Sequence, residues 1–210
     1  MRSEIRDAVL YGIVDRGYVE VDQCVSVTSA LIAGGAEVIQ LRAKQSGLDE
    51  IEALAQQIVS VCREADVPFI VNDFPKIAMR VGADGVHIGQ DDGTLVAVRE
   101  IVGETMIVGR STHSVDQAKQ ALADGFDYIG FGPLFTTPTK KGRPGIGMEN
   151  TSVVQNEVGS KIPVFCIGGI TRSNLKTVVE NGAKRVVIVS DLLTADSIEQ
   201  ATASVKSALS

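Results

Sequence analysis

Short apolar runs recur eight times along the chain, and segments with helical periodicity separate them. The runs are Val9–Asp15, Val38–Arg42, Phe69–Asp73, Gly85–Gln90, Met106–Ser111, Tyr128–Gly132, Val164–Gly169 and Val186–Ser190. Runs this short and this continuously apolar are typical of parallel strands that are covered on both faces. Eight successive β-α units close a parallel barrel. The pattern therefore predicts an α/β protein, a single (β/α)8 TIM barrel that spans residues 1–210.

An open doubly wound sheet shows the same alternation of strands and helices and is the alternative. The barrel is favoured because the runs number eight and no GxGxxG fingerprint follows the first. Helices are predicted at Leu48–Ala65, which has apolar residues at helical spacing, and at Ser114–Asp124 and Thr171–Asn181, which stop at glycines. Loops after the strands build the active site of such a barrel, so the polar residues that end the runs are expected to share one pocket.

Charge narrows the kinds of ligand and partner. The net charge of −6 argues against nucleic acid. Cations nevertheless follow the runs, which indicates a small anionic substrate, although solvated loop charges are the alternative. These cations are Arg16, Arg42, Lys44, Arg110, Lys140, Lys141 and Arg143.

Cysteine spacing and hydropathy point to the cytoplasm. The three cysteines form no CxxC pair and are expected to be buried and reduced. No apolar leader follows Met1 and no stretch reaches a membrane-spanning length, so no membrane partner is expected. A homo-oligomer is compatible with the sequence, which does not determine the oligomeric state.

Two aspartates near the ends of neighbouring runs form a candidate metal site. Asp73 ends the third run, and Asp92 lies two residues beyond the fourth. Carboxylates combined with substrate phosphates suit Mg²⁺, whereas Zn²⁺ calls for more histidine and cysteine ligands than this chain offers. Either aspartate alone is more simply a helix N-cap, but the pair favours a metal. Asp91 competes with Asp92, and spacing does not separate them.

Two groups of residues are suited to bind anions. Arg42 and Lys44 are two residues apart and face the same way if the extended backbone continues. Gly168-Gly169 and Val189-Ser190 close the last two runs, where phosphate sites of barrels often form, although a glycine pair is also ordinary turn chemistry.

The segment Thr136–Gly147 is rich in glycine and proline and is too long for an ordinary connection. Its Thr137, Thr139 and Lys140 could bind phosphate oxygens. We expect a lid or binding loop here, and the alternative is a plain surface insertion.

Other catalytic classes fit less well. None of the eight runs contains the lysine that a Schiff-base enzyme needs, and no G-x-S-x-G elbow is present. His87 lies inside the fourth run, where a hydrogen-bonded core histidine is a simpler interpretation than a base. His113, after the fifth run, is a minor candidate for substrate contact.

Taken in order, the motifs resemble the thiamine-phosphate synthase family, which forms one superfamily with the thiazole tautomerases. The likeness runs from Leu10 to about Leu193, and its specificity comes from the joint order of motifs that are weak alone. They are Gln40-Leu41-Arg42-Ala43-Lys44, Val71-Asn72-Asp73, Gly85-Val86-His87-Ile88-Gly89-Gln90-Asp91-Asp92, Ser111-Thr112-His113, Thr137-Pro138-Thr139-Lys140, Ile167-Gly168-Gly169-Ile170 and Val189-Ser190.

The resemblance implies an enzyme that couples hydroxymethylpyrimidine diphosphate to a thiazole phosphate alcohol by Mg²⁺-assisted dissociative substitution. The residues implied to hold the diphosphate substrate are Gln40, Leu41, Arg42, Ala43, Lys44, Asn72, Ser111 and Lys140. Those implied to hold the thiazole phosphate are Thr137, Pro138, Thr139, Gly169, Val189 and Ser190. Asp73 and Asp92 are implied to bind Mg²⁺, and catalysis is implied to rest on Arg42, Lys44, Ser111 and Lys140.

Phe74 and Asp191 depart from the family pattern, which often has Arg and a small residue there, and they bear on affinity or packing more than on reaction type. A thiazole tautomerase is the nearest alternative, but that branch has a histidine in the segment that ends here at Pro133 and lacks much of the diphosphate and metal set. A non-catalytic barrel that senses thiazole phosphate would leave those residues without a task. A sugar-phosphate isomerase would need a positioned base.

Overall fold

Eight parallel strands close into a barrel in the computed structural model, which describes residues 2–137 and 144–209. The strands are β1 Leu10–Asp15, β2 Val38–Arg42, β3 Phe69–Asn72, β4 Gly85–Ile88, β5 Ile107–Thr112, β6 Tyr128–Phe131, β7 Val164–Ile167 and β8 Val186–Ile188. Each strand pairs with the next, and Leu10 opposite Val186 joins β1 to β8. The predicted (β/α)8 barrel is therefore confirmed and the open doubly wound sheet is wrong.

Helices follow the strands and cover the barrel. Those in the described segments are α1 Arg2–Asp7, α2 Cys24–Ala33, α3 Leu48–Glu64, α4 Pro75–Val81, α5 Leu95–Val102, α6 Val115–Asp124, α7 Thr151–Glu157, α8 Leu175–Glu180, α9 Ser190–Leu193 and α10 Ile198–Leu209. Their buried faces pack on strands whose own residues are almost all buried, as the continuous apolar runs require.

Local signals place most helix ends correctly. Ser114 caps α6 by accepting a hydrogen bond from the Gln117 amide, and Gly125 ends the helix in the left-handed conformation. The prediction that a helix begins at Thr171 is wrong by four residues. The Asn174 side chain accepts a hydrogen bond from the Thr171 amide (2.8 Å), which forms a separate turn before α8.

The cysteines are buried free thiols, as expected. Burial raises the pKa of the Cys62 and Cys166 thiols to about 12, so both are unreactive at neutral pH. Among residues 2–137 and 144–209, no helix combines the length and apolar character that a membrane crossing demands.

Candidate active site

Two adjoining cavities open where the carboxyl ends of the strands meet. The larger, of about 660 Å³, has polar walls formed by Gln40, Arg42, Lys44, Asn72, Asp73 and Ser111. We call it the charged half. The smaller, of about 510 Å³, includes His113, Thr137, Gly168, Gly169, Val189 and Ser190 in its walls, and we call it the glycine-lined half. Ser111, Ile167 and Val189 belong to both, so the two cavities form one site.

Alternate residues of β2 and the loop after it supply one wall of the charged half. Gln40, Arg42 and Lys44 line this cavity. Leu41 and Ala43 are buried between them and are not among the described residues of the lining. Successive residues of an extended strand face opposite sides, so these two residues would meet a ligand only through main-chain atoms.

A buried carboxylate holds Arg42 in place. Arg42 Nη1 lies 2.7 Å from Asp15 Oδ2, and Asp15 is only 2% exposed. The Gly17 amide donates to the other Asp15 oxygen (2.9 Å). Asp15 and Arg42 are partners in the β1–β2 register. The sequence analysis missed Asp15 as a site residue, although a charged residue that ends a fully apolar strand is itself a signal.

Asp73 and Asp92 come together beside Lys44. Lys44 Nζ lies 2.8 Å from Asp73 Oδ2, and the Gly89 amide donates to Asp92 Oδ2 (2.7 Å). Burial, the largest effect, and the neighbouring carboxylate of Asp92 raise the pKa of Asp73, while Lys44 opposes both. Two carboxylates this close repel each other, and a cation between them would relieve the repulsion.

The charge balance of this half also suits a cation. Asp15, Asp73 and Asp92 outnumber Arg42 and Lys44, so the described side chains leave a negative excess where a diphosphate is expected. Within the part of the chain that the structure describes, no group of three or more His, Cys, Asp or Glu residues could enclose a metal. A pair of carboxylates that leaves positions open for water and substrate oxygens matches Mg²⁺ rather than Zn²⁺.

A chain of hydrogen bonds crosses the floor of the charged half. Gln40 Nε2 donates to the Tyr11 hydroxyl (2.8 Å), which lies 3.0 Å from the Tyr128 hydroxyl. His87 Nδ1 is 3.0 Å from the Tyr128 hydroxyl, and His87 Nε2 is 2.9 Å from Ser111 Oγ. His87 is thus a buried, hydrogen-bonded histidine, as expected. The two tyrosines were missed, although a buried tyrosine hydroxyl needs a partner.

Gly109 on β5 makes room for this chain. A Cβ atom at that position would lie 2.1 Å from Cζ of the Tyr128 ring. Any larger residue would displace the ring from the barrel interior, and the Tyr128 hydroxyl would lose its bonds to Tyr11 and His87.

Main-chain groups shape the glycine-lined half. Gly168 and Gly169 follow β7 with φ angles of +98° and +65°, which L-residues rarely adopt. A Cβ at Gly169 would lie 2.6 Å from the Cβ of Phe135. Thr137 is buried in the same wall, and Ser190 begins α9. The predicted gathering of these residues is therefore observed.

Other predicted residues have different outcomes. Pro138, Thr139, Lys140, Lys141 and Arg143 lie outside the described residues. Arg110 is wrong as a pocket cation: it donates to the carbonyls of Gln90 and Gly93 and lies over the Phe126 ring, so it supports the loop that carries Asp92.

Arg16 likewise donates to the Val19 carbonyl, and it is not among the described residues of either lining. His113 lines the glycine-lined half and bonds to the Gly132 carbonyl through Nδ1. Asp191 accepts hydrogen bonds from the main chain and side chain of Arg172.

Comparison with known proteins gives consistent matches. A family model described as thiamine monophosphate synthase matches residues 10–192. The thiamine-phosphate synthase of Thermus thermophilus is 42% identical over 182 residues, 87% of both chains. That of Syntrophomonas wolfei is 37% identical over 194 residues, 92% of both chains. A solved thiamine phosphate pyrophosphorylase from Pyrococcus furiosus has a TM-score of 0.85 and 32% identity, covering 99% of this chain and 96% of that one.

Proposed function

This chain belongs to the thiamine monophosphate synthase family and is a transferase, and on that premise we propose that it joins hydroxymethylpyrimidine diphosphate to a thiazole phosphate alcohol. The products are thiamine phosphate and inorganic diphosphate. One observation carries the proposal: a cavity with charged walls adjoins a cavity with main-chain walls, and Ser111 lies at their junction. Two substrates that each carry phosphate can meet there with their reacting atoms held together.

Arg42, Lys44 and Ser111 supply the grip on the diphosphate. A unit cation about 4 Å from a unit anion is worth about 4 kcal/mol at an effective dielectric of 20. The net attraction is smaller because Asp15 and Asp73 already pair with the two cations. Lys140, which the family resemblance adds to this set, lies outside the described residues.

Asp73 and Asp92 would hold Mg²⁺. When bound, the ion supplies positive charge that offsets both the carboxylate excess and the charge of the departing diphosphate. Asp92, rather than Asp91, takes this role because Asp92 is the carboxylate that raises the pKa of Asp73.

The reaction needs little from the protein beyond charge and position. The bond between the pyrimidine methylene carbon and the diphosphate oxygen breaks, and its electron pair leaves with the diphosphate. The thiazole nitrogen then donates its lone pair to the methylene carbon, which forms the new C–N bond. No proton moves at these atoms, so no general base is required. His87, bonded at both ring nitrogens, is consistent with this scheme.

The glycine-lined half would hold the thiazole phosphate. Gly169 and the main chain at Val189 and Ser190 allow a phosphate to approach backbone N–H groups, and Thr137 adds a hydroxyl. Segment 136–147 would act as a lid that keeps water from the pyrimidine cation, which water would otherwise capture.

The coupling assay tests the proposal. The purified protein is incubated with both precursors and Mg²⁺, and thiamine phosphate and diphosphate are measured together. We expect equal amounts of the two products and none when either precursor is omitted. A folded protein that makes no thiamine phosphate but isomerises the thiazole precursor alone would contradict the proposal in favour of a tautomerase.

A further inference from the structure

The hydrogen-bond chain from Gln40 to Ser111 has a fixed direction that follows from the chemistry of its members. An amide nitrogen only donates, so the Tyr11 oxygen accepts from Gln40 Nε2. Each tyrosine hydroxyl has one proton, and burial raises the pKa of both phenols, so both protons stay in place. The Tyr11 proton therefore points to the Tyr128 oxygen, its other partner in the chain.

The same logic fixes the next two bonds. Since the Tyr128 oxygen accepts from Tyr11, its own proton points to His87 Nδ1, which must carry a lone pair. His87 is then the neutral tautomer with its proton on Nε2, and Nε2 donates to Ser111 Oγ. The Ser111 proton is left over, and Ser111 lines the charged half.

We propose that Tyr11, Tyr128 and His87 are positioning residues that make the Ser111 hydroxyl a hydrogen-bond donor toward the diphosphate. In the reverse direction Ser111 would donate to His87 and turn its lone pairs toward an anion. The part of this inference that concerns the diphosphate rests on the proposed function. The tautomer of His87 does not.

The chain of 210 residues contains only two histidines, which makes the tautomer directly measurable. His113 is an internal reference because its Nδ1 bonds to the Gly132 carbonyl, an oxygen that only accepts. His113 must therefore carry a proton on Nδ1, and His87 must lack one there.

The first test is ¹⁵N NMR of the whole protein with ¹⁵N-labelled histidine at neutral pH, with signals assigned in His113→Asn. We expect an unprotonated Nδ1 and a protonated Nε2 for His87. A His87 with its proton on Nδ1, or on both nitrogens, would overturn the proposal. No variant of the chain itself is needed for this result, so a folding defect cannot obscure it.

The second test asks whether Tyr128 sets the tautomer. In Tyr128→Phe, His87 loses the donor at Nδ1, and we expect a measurable fraction of the Nδ1-protonated tautomer. Tyr18→Phe removes a hydroxyl outside the chain and should leave the His87 spectrum unchanged. An unchanged His87 spectrum in both variants would show that Tyr128 positions nothing.

The third test measures binding of inorganic pyrophosphate with Mg²⁺ by calorimetry. Ser111→Ala should weaken binding about tenfold, the size expected for a hydrogen bond to a charged group. In the Tyr128→Phe background the same substitution should weaken it only about threefold, since Ser111 no longer donates consistently. An equal loss in both backgrounds would refute the coupling. Failure of thiamine phosphate synthesis would refute the proposed function but leave the His87 result standing.

Discussion

The two halves of the site would hold phosphate by different means. The charged half uses side chains whose charges already oppose one another, with Asp15 on Arg42 and Asp73 on Lys44. No aspartate, glutamate, lysine or arginine is among the described residues that line the glycine-lined half. Binding in the first should therefore depend on metal, salt and pH, and binding in the second on backbone geometry. Each prediction below perturbs one half and leaves the other as the reference.

Loss of the buried cation should have the largest effect. We expect Arg42→Met to lower kcat/KM about 10²–10³-fold, the range seen when one donor to a developing charge is removed. It should also lower the free energy of unfolding by about 3–5 kcal/mol, because Asp15 is left buried without its partner. Steady-state kinetics and urea unfolding measure the two effects.

The double variant Asp15→Asn/Arg42→Met separates stability from catalysis. It removes the orphaned charge, so most of the stability should return while kcat/KM stays low. Recovery of activity together with stability would mean that Arg42 acts only through the fold.

The metal requirement should come next in size. We expect Asp92→Asn to raise the Mg²⁺ concentration for half-maximal activity about ten- to hundredfold, at least the loss that an outer-shell partner causes. Asp91→Asn, one residue away, is the matched control and should titrate like the parent protein. The opposite assignment would follow if Asp91→Asn shifted the titration and Asp92→Asn did not.

The glycine-lined half should respond to backbone strain. Gly169→Ala places a Cβ at φ +65° and against Phe135, and we expect the KM for the thiazole phosphate to rise about tenfold. The KM for the pyrimidine diphosphate should change little. Gly103→Ala imposes a positive φ where a Cβ meets nothing within 4 Å, at the end of α5. Equal KM changes for both substrates, or the same change in Gly103→Ala, would contradict the division into halves.

The pH dependence of stability should show the smallest effect. The raised pKa of Asp73 means that the folded state binds this proton more tightly than the unfolded state. Its contribution to stability is therefore full below the ordinary pKa and is lost as pH rises through the raised value.

Asp92→Asn removes one cause of the raised pKa, so this loss should shrink. In chelator, we expect the variant to gain up to about 1 kcal/mol relative to the parent between mildly acidic and neutral pH. Thermal unfolding measures this gain, and an equal gain in Asp91→Asn would contradict the assignment.

The sequence predicted the barrel and the position of most site residues along it, because apolar runs end where parallel strands end. Arg42, Asp73 and Ser111 were found in this way. Their partners were harder to find. Asp15 pairs with Arg42 through the register of β1 and β2, which apolar patterning does not determine to the residue.

Contacts across the barrel interior were beyond the sequence. Tyr11 on β1 meets Tyr128 on β6, and these strands are not neighbours. Their contact depends on the tilt of the strands and on the space that Gly109 leaves. Arg110 shows the opposite error, since a cation at the end of a strand was expected in the pocket but turns to the carbonyls of an adjacent loop.

A crystal structure with inorganic pyrophosphate and Mg²⁺ tests the division of labour most directly. The account predicts Mg²⁺ coordinated by Asp73 and Asp92, with pyrophosphate oxygens on Arg42, Lys44 and the Ser111 hydroxyl. Pyrophosphate bound only beside Gly169 and Ser190, with the two aspartates free of metal, would contradict it.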